Sequence, residues 1–209
     1  MRFDGANFTG TDLIGRRFPR ETLTDAECRD LLDQCSRRSA TGIRNRALIV
    51  LLWRAGLRIS EALDLRASDI NPDAGMVTVL RGKGGKRRDV PLDSGAMAEV
   101  LLWRKYRESL PPLRGRRVLI CTLKEGKPIS AGYVRQLLRR LAAGADIEKR
   151  VTPHTFRHTY AAELAAINIP MPEIRDALGH GSLATTDAYL RELHPSLDRL
   201  RAREPLVLS

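Results

Sequence analysis

Four side chains between Pro153 and Tyr189 are suited to chemistry at a phosphate: the imidazoles of His154 and His180, the guanidinium of Arg157 and the phenol of Tyr189. His154 and Arg157 stand three positions apart, so on a helix they share one face about a turn apart. A guanidinium holds two nonbridging oxygens at once, an imidazole moves a proton, and a phenol supplies an oxygen nucleophile. Such a set transfers a phosphoryl group without a metal. Taken singly, each residue has an ordinary reading, a solvated or satisfied histidine or a packing tyrosine. The ordered combination carries the signal.

The elements around these residues suit that task. Thr152 is placed to cap a helix whose first residue is Pro153, and Ala161, Ala162, Leu164 and Ala165 continue it. The start of that helix presents unpaired N–H groups to an anion. The Leu178-Gly179 step ends a short helix just before His180, and Tyr189 falls within the next.

Upstream, Thr24 and Glu27 form a capping box for a first helix running to about Arg38. A second helix, Thr41 to Ala55, is apolar over much of its circumference and reads as the buried central helix. Gly56 ends it and Ser60 is placed to cap the next, leaving Arg58 in the bend, where its plainest partner is Glu61. Met76 to Leu80 and Lys86 to Leu92 read as strands around the turn Gly82-Lys83-Gly84-Gly85-Lys86. A nucleotide-binding phosphate loop fails there on spacing, since Leu80 holds the required glycine place and Arg87 the Ser/Thr place. Lys86, Arg87 and Arg88 then read as a basic hairpin that touches DNA phosphates. Gly95 to Glu108 reads as a helix and Val118 to Leu123 as a short strand. Ser130 caps an amphipathic helix ending at Gly144, whose polar face bears Arg135, Arg139 and Arg140 and suits a DNA groove. Ser196 to Arg203 suggests a last short helix.

The chain of 209 residues carries a net charge of +11, spread through folded-looking sequence, and this points to a nucleic-acid partner. The apolar run from Ala47 to Trp53 is too short to span a bilayer and no signal peptide precedes it, so the expected compartment is the cytoplasm, with no membrane partner. Cys28, Cys35 and Cys121 lack ligand spacing, so neither a metal site nor a disulfide framework is expected.

The segments His154-Thr-Phe-Arg157-His158, Leu178-Gly179-His180 and Thr185-Thr186-Asp187-Ala188-Tyr189, with Gly56-Leu57-Arg58-Ile59-Ser60-Glu61-Ala62-Leu63 and the Lys83 turn upstream, resemble the tyrosine recombinase or phage integrase family over roughly Leu23 to His194. The resemblance implies a catalytic domain that is mainly α with a small antiparallel β-sheet, an α+β fold. It divides the chain into a basic arm at 1–20, a catalytic domain at 21–194 and a tail at 195–209. The arm is too short to be the amino-terminal clamping domain that most of the family carries. The chain therefore corresponds to a catalytic fragment, or to a minimal recombinase like the fimbrial-switch invertases. The implied activity is site-specific cleavage and rejoining of double-stranded DNA through a 3′-phosphotyrosine, with no cofactor. The implied catalytic set is Arg58, Lys83, His154, Arg157, His180 and the nucleophile Tyr189, supported by Glu61. In the family such enzymes act as tetramers on DNA, and a free monomer is compatible with this. The tail commonly docks on a neighbouring subunit, although its apolar side also suits packing on its own domain. Type IB topoisomerase relaxation and non-cleaving DNA binding are the alternatives, and pure binding would not require the tyrosine.

Overall fold

A computed structural model describes residues 22–80, 87–179 and Leu206. The arm, the turn at 81–86 and the segment carrying His180, Tyr189 and the expected last helix lie outside the described residues.

Helix α1 (Asp25–Asp33) opens on the expected capping box: Thr24 Oγ1 accepts the Glu27 N–H at 3.1 Å, and the Glu27 carboxylate accepts the Thr24 N–H at 2.7 Å. It stops short of Arg38. Ser36 Oγ accepts the N–H groups of Arg38 and Ser39 at 3.1 and 3.3 Å, a local turn that competes with another helical turn.

Helix α2 (Ala40–Arg54) is capped by Ser39 and forms the centre of the molecule, with every side chain from Ala47 to Trp53 fully buried. An all-round apolar helix has to be covered on all sides. Its remaining polar groups reach the elements that cover it. Arg46 Nε donates to Glu99 at 2.8 Å and Arg54 Nε to Asp93 at 2.7 Å, fixing α4 (Ser94–Ser109), while Trp53 Nε1 donates to Glu163 at 2.7 Å on α6 (Pro153–Ala166). Buried charges cost several kcal/mol unless paired. Here each of these arginines meets a carboxylate.

Between α3 (Ile59–Asp64) and α4 lies a three-stranded antiparallel sheet in the order β1 (Ile70–Asn71), β2 (Met76–Leu80), β3 (Arg87–Pro91). Val77 pairs with Val90 on the buried face, and Thr78 pairs with Asp89 on the exposed face through a 2.6 Å hydrogen bond. The expected strand at Val118 to Leu123 does not form. Leu119 N–H donates to Leu65 O and Leu119 O accepts from Trp103 Nε1, so single partners take the backbone groups that a ladder would use. Leu119, Ile120 and Cys121 are buried as a segment crossing the core.

Helix α5 (Ala131–Gly144) is capped by Ser130 as expected, buries Val134, Leu137, Leu138 and Leu141, and leaves Arg135, Arg139 and Arg140 exposed. Helix α7 (Met171–Leu178) packs on α6 around a smaller second core of Tyr160, Ala161, Leu164, Ile169, Ile174 and Leu178. Cys28, Cys35 and Cys121 are buried and unbridged, and burial pushes the Cys35 thiol up to about 11.

In the tail, Leu206 is buried in the main core of its own chain, and its N–H donates to Asp93 at 2.9 Å. Of the two courses open to the tail, this residue takes packing in its own domain. Among the described residues no helix is long and apolar enough to cross a membrane.

Candidate active site

The ends of three helices and one strand meet at Glu61. Gly56 terminates α2 with φ of +58°, and a Cβ there would lie 2.3 Å from the Tyr160 ring, so only glycine makes this corner. Two residues later Arg58 stands in extended backbone immediately before α3. Ser60 does not cap that helix. The Glu61 carboxylate reaches back instead, accepting the Arg58 N–H at 2.9 Å and Arg58 Nη1 at 2.8 Å. Main chain and side chain of Arg58 are thus fixed by one carboxylate.

Arg157 arrives from α6. Thr152 Oγ1 caps that helix by accepting the Thr155 N–H at 3.2 Å, and Pro153 occupies its first position, as the sequence requires. The Arg157 side chain is buried. Its Nη1 donates to Gly56 O at 2.7 Å, its Nη2 donates to Leu178 O, and Nη1 lies 4.0 Å from Glu61. Arg58 Nη1 also donates to Leu178 O, at 3.5 Å, and Arg58 Nη2 donates to Gly179 O at 3.2 Å. Two guanidiniums, one from the residue before α3 and one from α6, therefore converge on one oxygen. The side chain of Arg58 remains about one-third exposed, at 34%, so the pair opens to solvent on its side.

The acceptor carbonyls sit at the end of α7, which Gly179 closes in the left-handed conformation with φ of +67°. The C-terminal end of a helix carries partial negative charge, which favours the clustered arginines.

Burial alone would raise the Glu61 pKa. Hydrogen bonds from Arg88 and the Arg58 backbone, with the Arg88 charge, outweigh it and hold the carboxyl down to about 2. Burial, reinforced by the neighbouring Arg58 charge, pushes Arg157 down to about 9 against the pull of Glu61. It is still a cation at neutral pH. A buried cation disfavoured in this way gains from any added anion.

Of the expected catalytic residues, Arg58 and Arg157 are brought together, with the expected supporting Glu61 between them. His154 is exposed on the first turn of α6, three positions before Arg157. Lys83, His180 and Tyr189 lie outside the described residues, as does Lys86 of the expected DNA-contacting residues. Arg87 is exposed on the outer face of β3 beside Thr78, at 3.2 Å.

Arg88 has a different place from the phosphate contact expected of it. Its Nη1 and Nη2 donate to the two oxygens of Glu61 at 2.9 and 2.8 Å, and its Nε donates to Ala177 O at 3.1 Å. The available signal was the twofold period of the strand, which puts residue 88 on the same face as the buried Val90.

Residues 21–194 match the model of the phage integrase family. The chain is 31% identical to tyrosine recombinase XerA of Pyrococcus furiosus over 217 residues, covering 99% of this chain and 72% of the relative. It is 39% identical to tyrosine recombinase XerC of Rhodospirillum centenum over 148 residues, 71% of this chain and 42% of that protein. The fold matches the crystal structure of XerA recombinase with a TM-score of 0.70 at 27% identity, covering 86% of this chain and 61% of that one. It also matches XerH site-specific recombinase in a pre-cleavage complex with its difH substrate, with a TM-score of 0.65 at 25% identity over 84% of this chain and 54% of that one. The chain thus spans between about two-fifths and three-quarters of these proteins. With the family match covering most of the sequence and Arg58, Glu61 and Arg157 assembled in one cluster, the chain belongs to the phage integrase family, the tyrosine recombinases.

Proposed function

We propose that the chain cleaves and rejoins double-stranded DNA as a site-specific tyrosine recombinase. The observation that carries this reading is the convergence of Arg58 and Arg157 on a single oxygen, each guanidinium braced by other partners. Two planar donors held against one oxygen are arranged for the nonbridging oxygens of a phosphodiester, where negative charge builds up as the phosphorus is attacked.

In this reading the Tyr189 phenol attacks the phosphorus, forming the Tyr–O–P bond as the bond from phosphorus to the 5′ oxygen breaks. The phenol, with a pKa of about 10, is only about one-thousandth ionised at neutral pH, so its proton passes to His154 or through it. Lys83 protonates the departing 5′ oxygen, and His180 donates a hydrogen bond to the phosphate. Lys83, His180 and Tyr189 enter by their match to the family pattern. The 3′-phosphotyrosine conserves the bond energy, so a second strand's 5′ hydroxyl reverses the attack without ATP. The Xer relatives are recombinases, which favours strand exchange over the relaxation of a type IB topoisomerase. Recombination joins four ends, which calls for a tetramer on DNA, acting in the cytoplasm.

The test is a denaturant-resistant adduct between the protein and a nicked duplex, made in the presence of a chelator and without ATP. Adduct formed by the wild type and lost in Arg58→Ala and Arg157→Ala supports the reading. Adduct undiminished in both variants contradicts it.

A further inference from the structure

We infer that Arg88 is a positioning residue for strand cleavage, a role that rests on the recombinase reading above. Each of its three guanidinium nitrogens donates inside the protein, two to Glu61 and one to Ala177 O, and its side chain is only 13% exposed. Two N–H groups remain, on a guanidinium whose charge already faces the Glu61 carboxylate at 2.8 Å. Arg88 joins three elements at one point: strand β3, which it belongs to; helix α3, through Glu61; and the end of α7, through Ala177.

The consequence for Arg58 follows from the shared carboxylate. Glu61 Oε1 accepts from both Arg58 Nη1 and Arg88 Nη1, and Oε2 accepts from the Arg58 N–H and Arg88 Nη2. A carboxyl group rotating about its own axis would break contact with Arg58. The bidentate fork of Arg88 fixes that rotation, because parallel N–H bonds to both oxygens set the plane of the carboxylate. Arg88 thereby sets where the Arg58 guanidinium lies, although the two arginines repel. It also holds Ala177 O beside Leu178 O and Gly179 O, the carbonyls on which Arg58 and Arg157 converge. Gly179 is fitted to this arrangement. A Cβ there would lie 2.8 Å from Arg88 Nη1, and the residue has φ of +67°.

Among the described residues, the charges facing Glu61 are Arg58 on its own helix, Arg88 from β3 and Arg157 from α6, while α7 contributes carbonyls to the cluster. Removing Arg88 leaves the carboxylate with one close cation and one at 4.0 Å. Its plane is then unset.

The experiment compares wild type, Arg88→Gln and Arg88→Lys on nicked duplexes, measuring the single-turnover rate of adduct formation, the DNA dissociation constant and the thermal melt. Arg88→Gln is expected to form adduct about a hundredfold more slowly, the cost of misplacing a reacting group by about 1 Å. DNA affinity should stay within about twofold of wild type. Arg88→Lys, which keeps the charge without the fork, should recover only part of the rate. The rate in Arg88→Gln should also acquire an acid limb in the ordinary carboxylate range, absent from wild type. A direct DNA contact would instead show as weaker binding at an unchanged saturating rate. A merely structural role would show as a lower melt with the folded fraction reacting at the wild-type rate. Either result overturns the inference. If the wild type itself makes no adduct, the recombinase reading fails and the role of Arg88 fails with it; adduct in wild type with an unchanged rate in Arg88→Gln refutes only the role of Arg88.

Discussion

Glu61 is the carboxylate to which the site's arginines are tied, and its depressed pKa makes a prediction about acid stability. Its folded value of about 2 lies below the unfolded value of 4.5, so its contribution is fully present above about pH 4.5 and fades as the pH falls towards 2. The difference corresponds to about 3 kcal/mol. Glu61→Gln should therefore be less stable at neutral pH and should lose stability less steeply between pH 5 and 3, as read by urea unfolding at each pH. Parallel curves for the two proteins would show that Glu61 is not a major source of the acid limb. The two candidate tyrosines also separate at this scale. Tyr160 is 1% exposed, with its ring against Gly56 at the α2 corner. It lies on the same rigid helix as Arg157 and is a packing residue, so Tyr160→Phe should still form adduct with DNA while Tyr189→Phe should not. An assay for denaturant-resistant complexes in the two variants checks this.

Helices α2 and α6 meet at the corner that places Arg58, and Gly56 leaves that corner no room for a side chain. Gly56→Ala combines a left-handed backbone with a Cβ overlapping the Tyr160 ring, an expected loss of about 3 kcal/mol and about 10 °C in Tm. A melt unchanged in this variant would mean that the corner opens freely. At α5, replacing Arg135, Arg139 and Arg140 by Ala should weaken DNA binding and lower its salt slope by about one for each phosphate no longer neutralised, as measured by titrations at several salt concentrations. An unchanged slope would place α5 off the DNA. What could be read from sequence was the chemistry that acts between near neighbours. The caps Thr24, Ser130 and Thr152, the corner glycine and the apolar run of α2 are signals within a few residues, and each forms as expected. Signals that depend on distant partners were not legible. Val118 to Leu123 looks like a strand because it is apolar, yet Trp103 and Leu65 take its backbone groups singly. Strand β1 is two residues long, too short for alternation to register. Arg58 and Glu61 could be paired by their spacing of three, whereas Arg88 finds Glu61 across 27 positions; the strand period separates it from the exposed Arg87 but does not name its partner.

The whole molecule carries +11, and neutralising about six phosphates should lower DNA affinity by about a thousandfold between 50 and 200 mM salt. A dissociation constant flat over that range would remove the electrostatic basis of binding. The tail belongs to this scale as well, because Leu206 joins the end of the chain to the main core beside Asp93 and Gly95. Leu206→Ala should cost about 2 to 5 kcal/mol, read as a lower melt of the free protein. An unaltered melt would leave the tail's apolar side for a neighbouring subunit. Attack by Tyr189 on a DNA phosphate, the step that the arginine cluster is proposed to serve, leaves a covalent mark on the protein. The decisive experiment is to incubate the protein with sheared chromosomal DNA of its host, denature, digest with nuclease and protease, and map the modified peptide by mass spectrometry. The expected outcome is a nucleotide remnant on the peptide containing Tyr189, present in wild type and Tyr160→Phe and absent from Tyr189→Phe, while a remnant on the Tyr160 peptide, or none on any tyrosine, would contradict the proposed chemistry.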